Sequence, residues 1–198
     1  MIEEPKNKSE LHPTDRLLAG ALASPTLVQA LVFLVFGLVT VFWQAPTLTV
    51  ITIMLALYLL GYAGASYLTA RALAPAGDRV SAQGFTSIAL VQAAGGALML
   101  LAPRGEFWLT LMGALVLGLT GVLKVLAGMR SQEWNPAARD WQLEGLIITL
   151  SAAALPVVSE IGDKAIMGTA GGGALLAGVF VLIGALTLRA QANKPQEP

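Results

Sequence analysis

Cysteine is missing from this chain, and histidine occurs once, as His12. Without thiols there is no disulfide, no thiolate metal site and no thiol nucleophile, and cysteine usage says nothing of redox compartment. A lone histidine in a polar stretch beside Pro13 makes no zinc site and reads as a surface residue. Charge is scarce too. Charged residues make up 12% of the 198 positions, roughly half of what a soluble domain carries. They balance to a net charge of zero, which argues against a nucleic-acid partner. From Leu17 to Ala70 charge is absent altogether, over 54 residues. As one helix that run would be about 80 Å long, far more than the roughly 30 Å of a bilayer core.

What is present is apolar: 56% hydrophobic residues and a mean hydropathy of +0.71. Charge-poor runs longer than the 18 or so residues that cross a bilayer recur along the chain. The expectation is an all-α, polytopic membrane protein with six spans, near 27–43, 47–67, 83–101, 107–129, 143–159 and 166–188. Segment 1–15 is polar and mixed in charge, with no signal-peptide n-region or cleavage motif, and reads as a tail rather than a secretory leader. Over 16–26, Leu17, Leu18 and Leu22 fall on one side after an N-cap candidate, Thr14, and Pro25 follows. That pattern predicts a short interfacial helix broken from the first span by proline. The membrane domain then covers 27–190 and a second tail 191–198.

Positive charges order the topology. Lys6, Lys8, Arg16, Arg71, Arg79, Arg130, Arg139, Arg189 and Lys194 fall on one side of the six spans, and only Arg104 and Lys164 on the other. Positive-inside counting places both termini in the cytoplasm. Trp43 and Trp108 then lie at outer span ends, Trp134 and Trp141 at or near inner ones, as interfacial belts. The outer turns are short, at Ala45-Pro46 and around Pro103, while the inner loops over 71–82 and 130–142 are longer. The chain reads as three hairpins entering and leaving from the cytoplasm.

The hairpins look related. Pro46 is followed by Gly61 and Gly64 at offsets of fifteen and eighteen, and Pro103 by Gly118 and Gly121 at the same offsets. Arg71 and Arg130 close these two units. In the third, Pro156 has Gly171 at the first offset, Ala174 at the second, and a later basic residue, Arg189. Pro46, Pro103 and Pro156 are therefore expected at hairpin turns. Small residues four apart let helices approach closely in lipid. Gly61 with Ala65, Ala93 with Ala97, Ala114 with Gly118, and Gly168 with Gly172 are such pairs, and Gly64 and Gly121 belong to the same expectation. Any of these faces could also pair copies, so a homo-oligomer or another membrane protein stays open as partner beside the lipid bilayer. The run Gly171-Gly172-Gly173 reads as packing or local helix irregularity.

Paired apolar helices, the ending "GLVTVFWQAP" over 37–46, and a glycine-rich return helix closed by Arg resemble the HdeD-like acid-resistance membrane proteins. The resemblance covers about residues 27–189. It implies a bacterial inner-membrane location, repeated two-helix hairpins and a link to acid stress. It brings no catalytic motif.

Intramembrane polar groups are costly, so they are the first candidates for function. Lys124 lies in the fourth span and Glu144 begins the fifth. Antiparallel helices could bring them together as an ion pair or a protonatable site. The sequence favours the plainer alternative, with Lys124 snorkelling to the headgroups and Glu144 in the wet interface. Gln92 is the polar side chain nearest mid-membrane and reads as interhelical glue. Glu160, Asp163 and Lys164 read as a solvated outer turn. No paired intramembrane aspartates, His–Glu metal motif, G-x-S-x-G or P-loop occurs. The expectation is a non-enzyme with neither metal nor cofactor, acting in envelope stress through helix contacts. A proton or solute path through Gln92, Lys124, Glu144, Thr149 and Ser151 is the alternative, as is an accessory subunit of a membrane complex.

Overall fold

The computed structural model describes residues 13–101 and 105–194. Among them are six helices and no strand: α1 (Pro13–Phe42), α2 (Leu48–Leu73), α3 (Arg79–Leu101), α4 (Glu106–Arg130), α5 (Ala138–Ser159) and α6 (Asp163–Ala192). All six are long and apolar enough to cross a membrane. The chain is a multi-pass membrane protein.

The charge-free run is folded at Trp43–Thr47, where proline cannot continue a helix. Thr47 then caps α2 by accepting a hydrogen bond from the Val50 N–H at 3.4 Å. Pro46 is thus a hairpin turn, as expected. Pro103 falls outside the described residues, as do residues 1–12. Pro156 is not a turn: it lies inside α5. The third turn comes later, at Gly162, whose φ of +122° suits only glycine. Proline is accepted one turn before the helix end because only the carbonyl four residues back loses its donor.

α1 runs unbroken through Pro25 for 30 residues, about 45 Å, so the separate interfacial helix expected over 16–26 does not form. Thr14, expected as its cap, is already helical. Pro25 costs the helix only the donor to the Ala21 carbonyl, and the next residue, Thr26, turns its hydroxyl back to the Leu22 carbonyl at 2.8 Å. The Leu18 and Leu22 stripe finds better burial than an interface offers. It joins Leu73, Phe85, Trp141 and Leu188 in a core cluster at the end carrying the basic residues, while Leu17 points outward. Trp141 is accordingly core rather than belt, with its ring 4.6 Å from that of Phe85. Trp43, Trp108 and Trp134 are exposed, as interfacial residues should be.

The links at the basic end are shorter than the sequence implied, 74–78 and 131–137, because the first turns of α3 and α5 take in polar residues, Arg79 in one and Arg139 and Asp140 in the other. Asp78 caps α3 by accepting from the Ser81 N–H at 3.0 Å, and its second oxygen accepts from Trp134 Nε1 at 3.3 Å, joining the two links.

Each helix packs on its neighbours in sequence, and α6 closes on α1. The broadest interfaces are α1 with α6, α2 with α3 and α4 with α5, while the interfaces inside the expected hairpins, α1–α2, α3–α4 and α5–α6, are narrower. Glycine explains where the approach is closest. A β-carbon on Gly121 would lie 2.6 Å from the Gly145 carbonyl oxygen, and one on Gly96 3.0 Å from that of Ala56. Among the expected packing glycines, Gly61 rests on Val32, Gly118 on Ala152 and Gly121 on Gly145. Gly64, Gly168 and Gly172 do not pack inside the bundle: open space surrounds them. In the triple run it is Gly171 and Gly173 that meet neighbours, Thr40 and Ser151.

Candidate functional site

A second core cluster fills the middle of the bundle and the end opposite the basic one, around Phe33, Leu55, Tyr58, Tyr62, Leu117 and Leu155. Phe36 stacks on Tyr58 at 4.3 Å, and Phe33 meets Tyr62 edge-on at 4.7 Å. The seam between the two clusters holds the only charges buried in the bundle among the described residues.

Lys124 and Glu144 are 0% and 2% exposed, and Lys124 Nζ lies 2.6 Å from Glu144 Oε1. The pair exists because α4 and α5 approach through Gly121 and Gly145, each within one turn of a charged residue. Backbones this close leave the two side chains no route outward, so neither snorkels, and the plainer alternative is corrected. A lone charge in hydrocarbon would be prohibitive; a paired and hydrogen-bonded one is tolerated.

Two further helices complete the shell. Gln29 on α1 accepts from Lys124 Nζ at 2.9 Å, and the Tyr62 hydroxyl on α2 donates to Glu144 Oε1 at 2.6 Å. The ammonium also sits 4.9 Å from the Tyr62 ring centroid and 5.5 Å from that of Phe85 on α3. Such rings attract a cation through their negative faces, more strongly when water is excluded. Five helices therefore meet at one ammonium–carboxylate pair. The sequence reading singled out Lys124 and Glu144 but missed Gln29 and Tyr62. After Arg16 along the chain, Gln29 is the only charged or amide side chain of α1, a signal that could have found it.

Gln92 is not in this network. It is fully buried on α3, and neither its amide nitrogen nor its carbonyl oxygen has a partner among the described residues. Its level follows from the packing one turn away, where Gly95 touches Val116 on α4 and Gly96 touches Ala56 on α2. That sets Gln92 at about the level of Thr120, one turn from Lys124, and Thr120 Oγ1, Ser66 Oγ and Gln29 Nε2 are likewise buried with no partner among the described residues. Thr149 and Ser151 do not extend the set. Their hydroxyls donate back to Gly145 and Ile147 carbonyls of their own helix at 2.7 and 2.9 Å. At the far turn Glu160 and Lys164 are exposed, and Asp163 opens α6, where its charge suits the positive pole of the helix.

Compared with protein families, curated proteins and solved structures, the chain finds no match.

Proposed function

We propose that this chain is a non-enzymatic inner-membrane protein of the HdeD-like type, serving the envelope under acid or other stress through helix–helix contact. One observation carries the reading. Broad interfaces at α2–α3, α4–α5 and α6–α1 alternate with narrower ones at α1–α2, α3–α4 and α5–α6, the pattern that three copies of one hairpin closed into a ring would produce. The proline-to-glycine offsets after Pro46 and Pro103 support the same repeat. The Lys124–Glu144 pair fits a structural role in it, because each charge is answered by the other and by residues of neighbouring helices. Arg16, Arg71, Arg79, Arg130, Arg139, Arg189 and Lys194 share one end of the bundle, which supports cytoplasmic termini. The test is survival of a deletion strain in acid, and under osmotic and detergent stress. Loss of viability restored by the wild-type gene is expected; survival equal to the parent under all three overturns the reading.

A second reading, a path for protons or a small solute, draws on the buried polar atoms of Gln92, Thr120 and Ser66, which have no partner among the described residues. It expects flux in proteoliposomes that Lys124→Ala and Glu144→Ala reduce, and flux that survives both unchanged contradicts it. Vesicles no leakier than protein-free ones contradict it.

A further inference from the structure

Small residues leave a cleft where α1 and α6 cross at the basic end. Gly20 faces Ala192 so closely that a β-carbon on it would lie 3.4 Å from that of Ala192. The cleft has a volume of about 410 Å³. Its character changes with depth. Arg189 and Asn193 line it near the helix end and Ser24 lies across from them, whereas Leu27 and Leu186 line it further in. Arg189 and Leu186 are both exposed, so the cleft opens outward, towards lipid. Arg16 lies one turn before Gly20 on the same stripe of α1. Its Nη1 donates to the Lys194 carbonyl at 3.3 Å, and its Nε is buried with no partner among the described residues. No described acidic side chain forms an ion pair with Arg16, Arg189 or Lys194.

A second basic cleft lies between α2 and α3, another of the broad interfaces. There a cleft of about 300 Å³ is lined by Arg71 and Arg79, with Tyr67, Gln83 and Thr86 beside them. Neither arginine has an acidic partner among the described residues. Two grooves between broadly packed helices thus carry arginine near the end where the basic residues gather: Arg189 in the first, with Arg16 one turn before its Gly20 wall, and Arg71 with Arg79 in the second.

We propose that both clefts bind the headgroup of an anionic phospholipid. Guanidinium forks match phosphate oxygens in geometry and charge, and basic pockets between membrane helices at the headgroup level suit anionic lipids. In the first cleft Arg189 holds the phosphate, with Arg16 adding positive charge from the turn of α1 before Gly20, Ser24 and Asn193 hydrogen-bond the glycerol and ester oxygens, and Leu27 and Leu186 carry the first acyl carbons. Arg16 also covers the Lys194 carbonyl just past the end of α6, where the helix's negative pole would otherwise repel an anion. In the second, Arg71 and Arg79 hold the phosphate and Gln83 and Thr86 supply the neutral contacts.

Native mass spectrometry of the full chain in mild detergent tests this, with phosphatidylglycerol and phosphatidylcholine of equal acyl chains as probes. Two phosphatidylglycerol molecules are expected to be retained in preference to phosphatidylcholine. Arg16→Gln with Arg189→Gln removes one, and Arg71→Gln with Arg79→Gln the other, each arginine contributing about fivefold. The exposed variant Arg189→Gln alone weakens the first site by that same factor of about five without touching the core, and Lys164→Gln, at the opposite end, changes nothing. Equal retention of the two lipids overturns the proposal, and so does phosphatidylglycerol selectivity that survives all four substitutions. Loss of selectivity to one arginine pair only overturns the other cleft. Displacement by inorganic phosphate at the concentrations where lipid binds overturns the lipid assignment in favour of a free anion.

Discussion

Lys124 can be buried because each of its contacts comes from a different helix: a carboxylate, a carboxamide oxygen and the faces of two rings. Glu144 in turn takes both the ammonium and the Tyr62 hydroxyl on one oxygen. Tyr62→Phe keeps the ring under the cation and removes only that donor. A hydrogen bond to a charged group contributes about 1.5–3 kcal/mol, so the variant is expected to unfold earlier by that amount in thermal denaturation. An unchanged transition would mean that the hydroxyl does not support the carboxylate. Gln29→Leu should cost about as much, since it takes a neutral acceptor from a buried cation. The charged pair was legible in the sequence as two ionisable residues near facing span ends. Its pairing was not, because the approach of α4 to α5 depends on Gly121 and Gly145 meeting, and hydropathy does not show which face a helix turns to its neighbour. Trp141 misled for the same reason: an aromatic near a span end reads as interfacial until the ring is seen to pack on Phe85.

At the scale of elements, all six helices were visible as apolar runs, and the ends were the weak point. Polar residues such as Arg79, Arg139 and Asp163 look like loop yet occupy first helical turns, where solvent at the membrane surface accepts them. Prolines misled twice, since Pro25 and Pro156 lie inside helices that tertiary packing holds together. Pro156→Ala should therefore leave the third hairpin intact, whereas Gly162→Ala forces a side chain into a positive-φ conformation and should cost about 1–3 kcal/mol. Thermal unfolding of the two variants distinguishes them, and equal loss would restore Pro156 as the turn. Glycines divide similarly. Gly121→Ala places a β-carbon 2.6 Å from a backbone oxygen and 2.8 Å from the Thr149 nitrogen, so α4 and α5 must separate and the ion pair with them. Gly64→Ala has open space and should be neutral or, through helix propensity, stabilising by up to about 1 kcal/mol. Yields of monodisperse protein after detergent extraction should fall for the first variant and hold for the second.

For the whole molecule, the ring closed by α6 on α1 was beyond sequence reasoning, because nothing in either helix names the other. Its small residues, Gly20, Gly37 and Gly178 among them, become meaningful only when Ala192, Leu175 and Phe33 stand opposite. Sidedness is open to a clean test since the chain has no cysteine. Single cysteines at Lys194 and Gln132 should resist a membrane-impermeant maleimide in intact cells and react after lysis, while one at Lys164 should react in both. The reverse pattern would invert the topology. One buried pair, Lys124 with Glu144, ties five of the six helices together. The most direct measurement is a thermal-unfolding cycle of Lys124→Met, Glu144→Met and the two combined. Removing either partner strands the other charge and should cost about 3–5 kcal/mol, while removing both should restore most of that loss. Single variants as stable as the wild type, or losses that simply add in the double variant, would contradict it.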